Sequence, residues 1–195
     1  MSQKRIRVIK PEIRILGVDD GVFTPHSSGK ALVVGIVFRG GYWLDGVMHT
    51  HVVIDGFDAT EKISTMVTSS PHHKQLRVIM LNGITFAGFN VVDIRALSVE
   101  TRLPVIAVTS EKPDLATIRK AIENLPRTED RWISILAAGE GFEVFTRNSK
   151  ESIFLHVAGL PIGEAERIVR LSSTRGKIPE ALRVAHLIAS GISHF

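Results

Sequence analysis

Two apolar stretches of this chain end in side chains that carry oxygen atoms. The stretch RILGV is followed by Asp19, Asp20 and a glycine, and the stretch VIML is followed by Asn82 and another glycine. Short apolar runs are typical of buried strands, and open α/β sheets bind their ligands at the carboxyl ends of such strands. Carboxylate and amide oxygens are the ligands that hard divalent cations prefer. The two strand ends therefore predict a metal site suited to phosphate chemistry.

Asp19 and Asp20 compete for that site. Successive side chains of a strand face opposite ways, so both acids reach one face only if the strand has already ended. Asp19 is the preferred ligand, and Asp20 is kept as a second candidate. Both residues could instead stabilise the loop that follows, because Asp is common before Gly at turns.

Three further side chains are candidates for the same site. The spacing of Asp58 and Glu61 predicts a helix N-terminus, with Asp58 as the N-cap and Glu61 as its capping-box partner. Either carboxylate is also a candidate metal ligand if that helix begins beside the sheet edge. Asn82 offers an amide oxygen without a negative charge, and an Asn-Gly pair also favours a simple turn. The capping and turn interpretations therefore stay open.

Three of the eight histidines are also considered. His49 and His51 alternate along a predicted strand and so share a face, which favours an ordinary sheet surface over a metal site. His186 lies in the last predicted helix, where the residues alone indicate a surface position.

The elements that must position these residues follow a recognisable order. A glycine pair at 40–41 predicts a tight hairpin, and from residue 76 onward strands and helices alternate, which predicts parallel βα units. Strands are predicted at residues 12–19, 30–39, 42–54, 76–81, 104–109, 131–137, 143–147 and 152–157. Helices are predicted at residues 58–70, 89–101, 113–125, 162–172 and 179–190. An antiparallel three-strand meander followed by a helix and parallel βα units is the order of the α/β ribonuclease H-like fold.

Composition limits the classes of function. The chain has 195 residues, of which 44% are hydrophobic, and this suits a single domain over residues 1–195. It has no cysteine, so disulfides, thiolate metal sites and cysteine nucleophiles are excluded. A formal net charge of +4 suits a polyanionic partner such as nucleic acid. No apolar run approaches the ~20 residues of a membrane span, so we expect a cytoplasmic protein without a membrane partner.

Four motifs carry a resemblance to a known family: LGVDDG, IDGFDATEK, MLNGITFAGFNVVDI and GKIPEALRVAHLIASGIS. Together they span nearly the whole chain and resemble the archaeal endonuclease-V-like family, formerly of unknown function and later associated with cleavage at deoxyuridine. The chain is more distantly similar to endonuclease V itself. This resemblance implies a magnesium-dependent nuclease with a ribonuclease H-like, endonuclease V-like fold that cuts near deaminated bases.

The resemblance implies catalytic roles for four residues. Asp19 matches the first catalytic aspartate of endonuclease V, and Glu61 matches the glutamate that begins a helix before the next catalytic strand. Asn82 stands where endonuclease V has a second aspartate, so one negative charge is missing. His186, in PEALRVAH, matches a histidine or acid near the C-terminus. The strand-separating Pro-Tyr-Ile-Pro wedge of endonuclease V is absent, and residues 55–62 replace it.

Substrate contacts are predicted in two places. Residues 84–93 (ITFAGFNVVD) carry Phe86 and Phe89, and a flipped base needs stacking surfaces, so this segment is a candidate base pocket. Phenylalanines in such a segment more often belong to the core, so that interpretation stays open for both. The candidate phosphate contacts are the basic residues Arg95, Lys112 and Arg183.

The sequence therefore predicts a metal-dependent DNA endonuclease that acts on deaminated bases, deoxyuridine or hypoxanthine. Mg²⁺ is the expected cofactor, with Mn²⁺ as a substitute, and the expected partner is nucleic acid. The first alternative is a non-catalytic nucleic-acid-binding protein that retains the fold with an incomplete metal site. The second is an actin-like phosphotransferase, because GVDDG resembles the strand-end phosphate motif of that fold.

Overall fold

A seven-stranded mixed sheet forms the centre of the protein. The computed structural model describes residues 8–146 and 152–193. The sheet strands are β1 (Arg14–Asp20), β2 (Lys30–Arg39), β3 (Trp43–Val53), β4 (Val78–Asn82), β7 (Val105–Thr109), β8 (Phe142–Phe145) and β9 (Ser152–Ala158), and the small separate hairpin consists of β5 (Thr85–Phe86) and β6 (Asn90–Val91). The helices are α1 (Ala59–Thr68), α2 (Ile94–Thr101), α3 (Leu115–Ile122), α4 (Thr128–Ala137), α5 (Ile162–Ser172) and α6 (Glu180–Ser193).

The strand order in the sheet is β3-β2-β1-β4-β7-β9-β8. Strands β1, β2 and β3 form the predicted antiparallel meander, and β1, β4 and β7 run parallel. Strand β9 adds antiparallel to β7, and β8 pairs antiparallel with β9. The carboxyl ends of β1, β4 and β7 therefore lie at one edge of the sheet, which is the order predicted for a ribonuclease H-like fold.

Hydrophobic clusters cover both faces of the sheet. Leu16 and Val18 of β1 face the cluster that includes residues of α1 and α2, whereas Ile15 faces the cluster that includes residues of α5 and α6. Gly17 lies on the α6 side, where an added Cβ would come within 2.4 Å of the backbone of Ala181. A side chain at this position would push α6 away, so the glycine allows helix and strand to pack closely.

The helix predicted over residues 89–101 begins later than expected. A hairpin precedes it, and Ala87 and Gly88 adopt positive φ values of 47° and 88° in the turn between β5 and β6. The N-cap of α2 is Asp93, whose Oδ1 accepts hydrogen bonds from the main-chain N–H groups of Arg95 and Ala96. The cap fixes the first turn of the helix at this point.

The strand predicted over residues 131–137 is wrong, because these residues lie in helix α4. Helical spacing places Arg131 and Ile135 on one buried face. The Arg131 guanidinium donates to the main-chain carbonyls of Asp55, Gly56 and Phe89, contacts far away in sequence. A short apolar run cannot by itself distinguish a buried strand from a buried helical turn.

The remaining boundaries differ only slightly from those predicted. Helix α5 begins and ends as predicted, helix α3 is shorter at both ends, and helix α6 extends to Ser193. The strand predicted over 143–147 corresponds to β8, and its predicted last residue, Arg147, lies outside the described residues. Among the helices in the described ranges, none combines the length and apolar character needed to cross a membrane.

Candidate active site

Three predicted site residues converge at the carboxyl edge of the sheet. The Asn82 side-chain N–H donates to Asp19, with 3.0 Å between Nδ2 and Oδ2. The Nδ1 atom of His186 lies 2.9 Å from the same Asp19 oxygen. The side chains of Asn82 on β4 and His186 on α6 thus both contact the same carboxylate oxygen of Asp19 on β1.

The register of two parallel strands explains how Asp19 and Asn82 meet. Val18 pairs with Leu81 across β1 and β4, so the next residue of each strand stands at the same level of the sheet. Alternation turns both side chains away from the α1 and α2 face and towards α6. Helix α6 lies close to β1 because of Gly17, and it carries His186 to this face.

Asp19 is a buried carboxylate, with a side chain that is only 3% exposed. Its Oδ1 accepts a hydrogen bond from the main-chain N–H of Asp20, with 3.0 Å between the atoms. Burial raises the pKa of Asp19 to about 6, while the hydrogen bond from Asn82 acts in the opposite direction. A buried carboxyl group with a raised pKa is stabilised when it binds a neighbouring cation or a proton.

His186 is the solvent-facing member of the group, with a side chain that is 62% exposed. When its Nδ1–H donates to Asp19, the carboxylate fixes the tautomer that leaves Nε2 as the acceptor. Nε2 makes no hydrogen bond within the described part of the chain. The arrangement can accept a proton from a water molecule or orient it, as general bases do.

Asp20 faces the other side of the sheet. Its Oδ2 accepts a hydrogen bond from the main-chain N–H of Ala87, with 2.6 Å between the atoms. Burial raises the pKa of Asp20 as well. Strand β1 continues through both acids, so alternation separates them, and the structure does not place the Asp20 side chain with Asn82 and His186.

The structure places Asp58 and Glu61 at the start of α1. Asp58 occupies the N-cap position without capping the helix; its Oδ1 accepts instead from the main-chain N–H of Val53 and the Nδ2 of Asn90. The predicted capping box is therefore wrong, and the Oδ1 of Asn90 accepts from the first helical N–H, that of Ala59. The Glu61 side chain is 76% exposed and lies beside Lys62. Within residues 8–146 and 152–193, no three His, Cys, Asp or Glu side chains form a group that could hold a metal ion.

The donor set at Asp19 nevertheless fits one weakly held divalent cation. Mg²⁺ in phosphate-processing sites is commonly bound by one or two carboxylates, with water and substrate phosphate as the other ligands. Asp19 offers one buried carboxylate, and Asn82 and His186 offer neutral donors beside it. A single negative charge limits the affinity, so substrate phosphate has to complete the binding.

A cavity of about 740 Å³ is lined by residues of α3 and α4 and by Gly83, which directly follows Asn82. The side chains of Asp19, Asn82 and His186 do not line it. Of the predicted substrate contacts, Phe89 and Lys112 line it, whereas Phe86 is fully buried in the core. The placement of Phe86 contradicts its prediction as a base-stacking residue, because no part of its ring is accessible to a ligand.

The other two basic candidates lie elsewhere. Arg183 is on α6, three residues before His186, and donates to the buried Glu180 carboxylate. Arg95 is exposed on α2, and it does not line the cavity. The cavity also contains His156, a residue that the sequence analysis missed. The signal for it was its place in SIFLHVA, where it alternates with Leu155 and Val157 and so faces the opposite side of the sheet from them.

Comparisons with known proteins found a matching family model, relatives and solved structures. The model of the Endonuclease dU family matches residues 11–193. A relative from Methanothermobacter thermautotrophicus, described as a UPF0215 protein, is 52% identical over 196 residues, which cover 99% of this chain and 94% of the relative. The crystal structure of a protein of unknown function from Archaeoglobus fulgidus matches with a TM-score of 0.82 at 40% identity, covering 92% of this chain and 98% of that one.

A more distant match identifies the fold. The structure of endonuclease V from Ciona intestinalis, in complex with a 24mer DNA containing an inosine followed by a ribo-adenosine, matches with a TM-score of 0.57 at 13% identity. It covers 89% of this chain and 82% of that one. The match confirms the predicted ribonuclease H-like α/β fold.

Proposed function

Because this chain belongs to the Endonuclease dU family, we propose that it is a metal-dependent endonuclease that cleaves DNA beside a deaminated base, deoxyuridine or hypoxanthine. The observation that carries the proposal is the convergence of Asp19, Asn82 and His186 at the carboxyl edge of the sheet. Family membership and the endonuclease V fold support the broader assignment to the nucleases.

Asp19 and Asn82 are the residues proposed to hold Mg²⁺, for which Mn²⁺ can substitute. Such a cation supplies Lewis-acid stabilisation of a phosphoryl oxygen and lowers the pKa of bound water. Asp19 also orients the imidazole of His186 through Nδ1. His186 then accepts the proton of the attacking water at Nε2.

The chain's basic residues support a nucleic-acid substrate. Lys112 lines the cavity and Arg183 lies one turn from His186 on α6, so both are candidates to contact phosphate groups. The net charge of +4 favours association with a polyanion. The endonuclease V of Ciona intestinalis was solved with inosine-containing DNA, which supports a deaminated base as the substrate here.

Cleavage of defined duplexes tests the proposal. Duplexes of one sequence that carry a single uracil, hypoxanthine or normal base are incubated with Mg²⁺, with Mn²⁺ or with a chelator. We expect cleavage of the deaminated duplexes only with metal, and a loss of about a thousand-fold or more in Asp19→Ala, since a metal site supplies several kcal/mol of transition-state stabilisation. Asp20→Ala is the matched control, because it removes the neighbouring carboxylate from the other face. Equal rates in the two variants contradict the proposed site.

One observation favours the non-catalytic alternative. The group around Asp19 contains a single carboxylate, because an amide occupies position 82. A binding protein without nuclease activity would bind DNA in a chelator and show no metal-dependent heat in calorimetric titration with Mg²⁺ or Mn²⁺. Metal-dependent cleavage that requires Asp19 excludes this alternative.

A further inference from the structure

His156, which lines the cavity, carries a buried polar atom without a partner. The Nε2 atom of His156 is inaccessible to solvent and has no hydrogen-bond partner within the described ranges. The whole residue is 4% exposed. A buried group of this kind is uncommon, because an unmade hydrogen bond in the interior costs free energy.

The sheet register places His156 in the cavity wall. His156 pairs with Ala107 of β7, and Ala107 pairs with Leu81 of β4, so the three residues form one row across the sheet. Leu81 and Ala107 face the cluster on the α1 and α2 side, and His156 shares that face. The row lies next to the strand ends where the cavity opens beside Gly83 and Thr109.

The other ring nitrogen determines what this atom can bind. Nδ1 of His156 lies 3.4 Å from the main-chain oxygen of Ala138 and is the nitrogen that donates to it. The neutral imidazole then carries no proton on Nε2, which is left as an acceptor. The missing partner is therefore an N–H or O–H donor.

We propose that the cavity receives a flipped base and that Nε2 of His156 accepts a hydrogen bond from the imino N–H of that base. This proposal rests on the proposed function and names the residue that reads its substrate. Deamination converts the N3 acceptor of cytosine into the N3–H donor of uracil, and the N1 acceptor of adenine into the N1–H donor of hypoxanthine. An acceptor at Nε2 therefore pairs with the deaminated base and faces a lone pair in the unmodified one.

The surroundings of the cavity suit a base that is attached to DNA. Its volume of about 740 Å³ lies within the range of ligand pockets, ~300–1,000 Å³. Phe89 offers an aromatic surface, and Lys112 offers a cation for the backbone. Gly83, which lines the cavity, directly follows Asn82, and an added Cβ there would meet no atom within 4 Å, so the space beside Gly83 is open.

Two glycines, Gly139 and Gly141, line the cavity just before β8. Gly141 lies against the ring, and an added Cβ there would be 3.3 Å from Nε2. Nε2 is inaccessible to solvent, so a base reaches it only when Gly141 moves away from the ring. Thymine and guanine also carry an imino N–H, but in a duplex base pairing holds them in the helix. A uracil opposite guanine costs less free energy to flip out, because the pair is a mismatch.

Binding measured without cleavage tests the proposal. Fluorescence anisotropy is recorded in a chelator with single-stranded oligonucleotides of one sequence that carry uracil, cytosine or N3-methyluracil at one position. We expect the unmodified protein to bind the uracil strand about tenfold more tightly than the other two, which is typical of one buried hydrogen bond lost. His156→Leu should bind all three strands equally, and His156→Gln, which keeps an acceptor, should retain part of the preference.

Controls keep this test decisive. His49→Leu removes an exposed histidine of β3 and should keep the full preference. Gly141→Ala crowds Nε2 and should weaken the preference without removing the imidazole. Thermal unfolding checks each variant, and the comparison of uracil with N3-methyluracil needs only the unmodified protein. Equal binding of those two strands overturns the proposal, as does a His156→Leu variant that keeps the preference.

The outcomes separate this inference from the proposed function. Cleavage at uracil with no dependence of base preference on His156 overturns the inference and leaves the nuclease assignment in place. A preference that requires His156 in a protein that never cleaves supports the inference and excludes the nuclease assignment.

Discussion

Asp19 and Asp20 are adjacent residues of one type, and the structure uses them in opposite ways. Asp19 faces α6 and meets Asn82 and His186, whose imidazole is exposed. Asp20 faces the other side of the sheet and accepts a hydrogen bond from the buried Ala87. Both carboxyl groups are buried, and burial raises the pKa of both.

The difference lies in the partners. Ala87 adopts a positive φ of 47°, a strained conformation for a residue with a Cβ, and its N–H is bound by Asp20. Asp20 therefore stabilises the turn between β5 and β6. Asp19 has two side-chain partners, Asn82 and His186, and the imidazole of His186 is exposed. Burial and a raised pKa alone do not identify an active-site residue; the partners must also be accessible.

The largest expected effect concerns the pH dependence of stability without metal. A pKa of about 6 for Asp19, above its ordinary value of 3.8, means that the folded protein binds more protons than the unfolded chain between these pH values. The free energy of unfolding therefore falls as pH rises from about 4 to 6, by about 3 kcal/mol from Asp19. Urea unfolding in a chelator should show this decrease in the unmodified protein and a smaller one in Asp19→Asn. Identical slopes in the two proteins would mean that Asp19 is not buried as described.

The next effect concerns Asp20. Asp20→Ala leaves the Ala87 N–H without its acceptor in a buried turn, which should cost about 1–3 kcal/mol of unfolding free energy. Asp20→Asn keeps an oxygen acceptor and should cost less. Denaturant titration gives both values, and cleavage rates per folded molecule should stay close to those of the unmodified protein. A loss of cleavage in Asp20→Asn at unchanged stability would assign Asp20 to the active site.

Asn82→Asp tests whether the group around Asp19 binds metal. It adds a second carboxylate beside Asp19, so metal affinity should rise about tenfold, because hard cations gain most from charged ligands. In a chelator the same change should lower stability, since two carboxylates repel each other. Calorimetric titration with Mn²⁺ and thermal unfolding measure the two effects. Unchanged metal affinity would leave Asn82 with a purely structural role in the turn.

The smallest expected effect is that of Glu61→Gln. The Glu61 carboxylate is 76% exposed beside Lys62, so its removal should change metal affinity and stability by no more than about 0.5 kcal/mol. The same calorimetric and denaturant titrations apply. A loss comparable to that of Asp19→Ala would show that Glu61 reaches the site when metal binds, as the resemblance to endonuclease V implies.

Regular patterns made much of the fold predictable. Strands β1, β2 and β4 end close to their predicted limits because each is an apolar run bounded by glycine or charged residues. The sequence predicts a strand where the structure has helix α4, because a short apolar run fits either element. The buried position of Arg131 depends on partners far away in sequence. The hairpin of β5 and β6 was missed because a positive φ at an alanine has no sequence signature.

The sequence by itself determined which oxygen-bearing side chains stand at the strand ends, because apolar runs and the residues that end them are local features. Alternation along a strand also predicted that Asp19 and Asp20 separate if the strand continues through both. Only the tertiary structure decided which of the two meets Asn82 and His186, since that depends on the face against which α6 packs. The place of His156 was likewise decided by strand pairing, because the row of Leu81, Ala107 and His156 joins three strands distant in sequence.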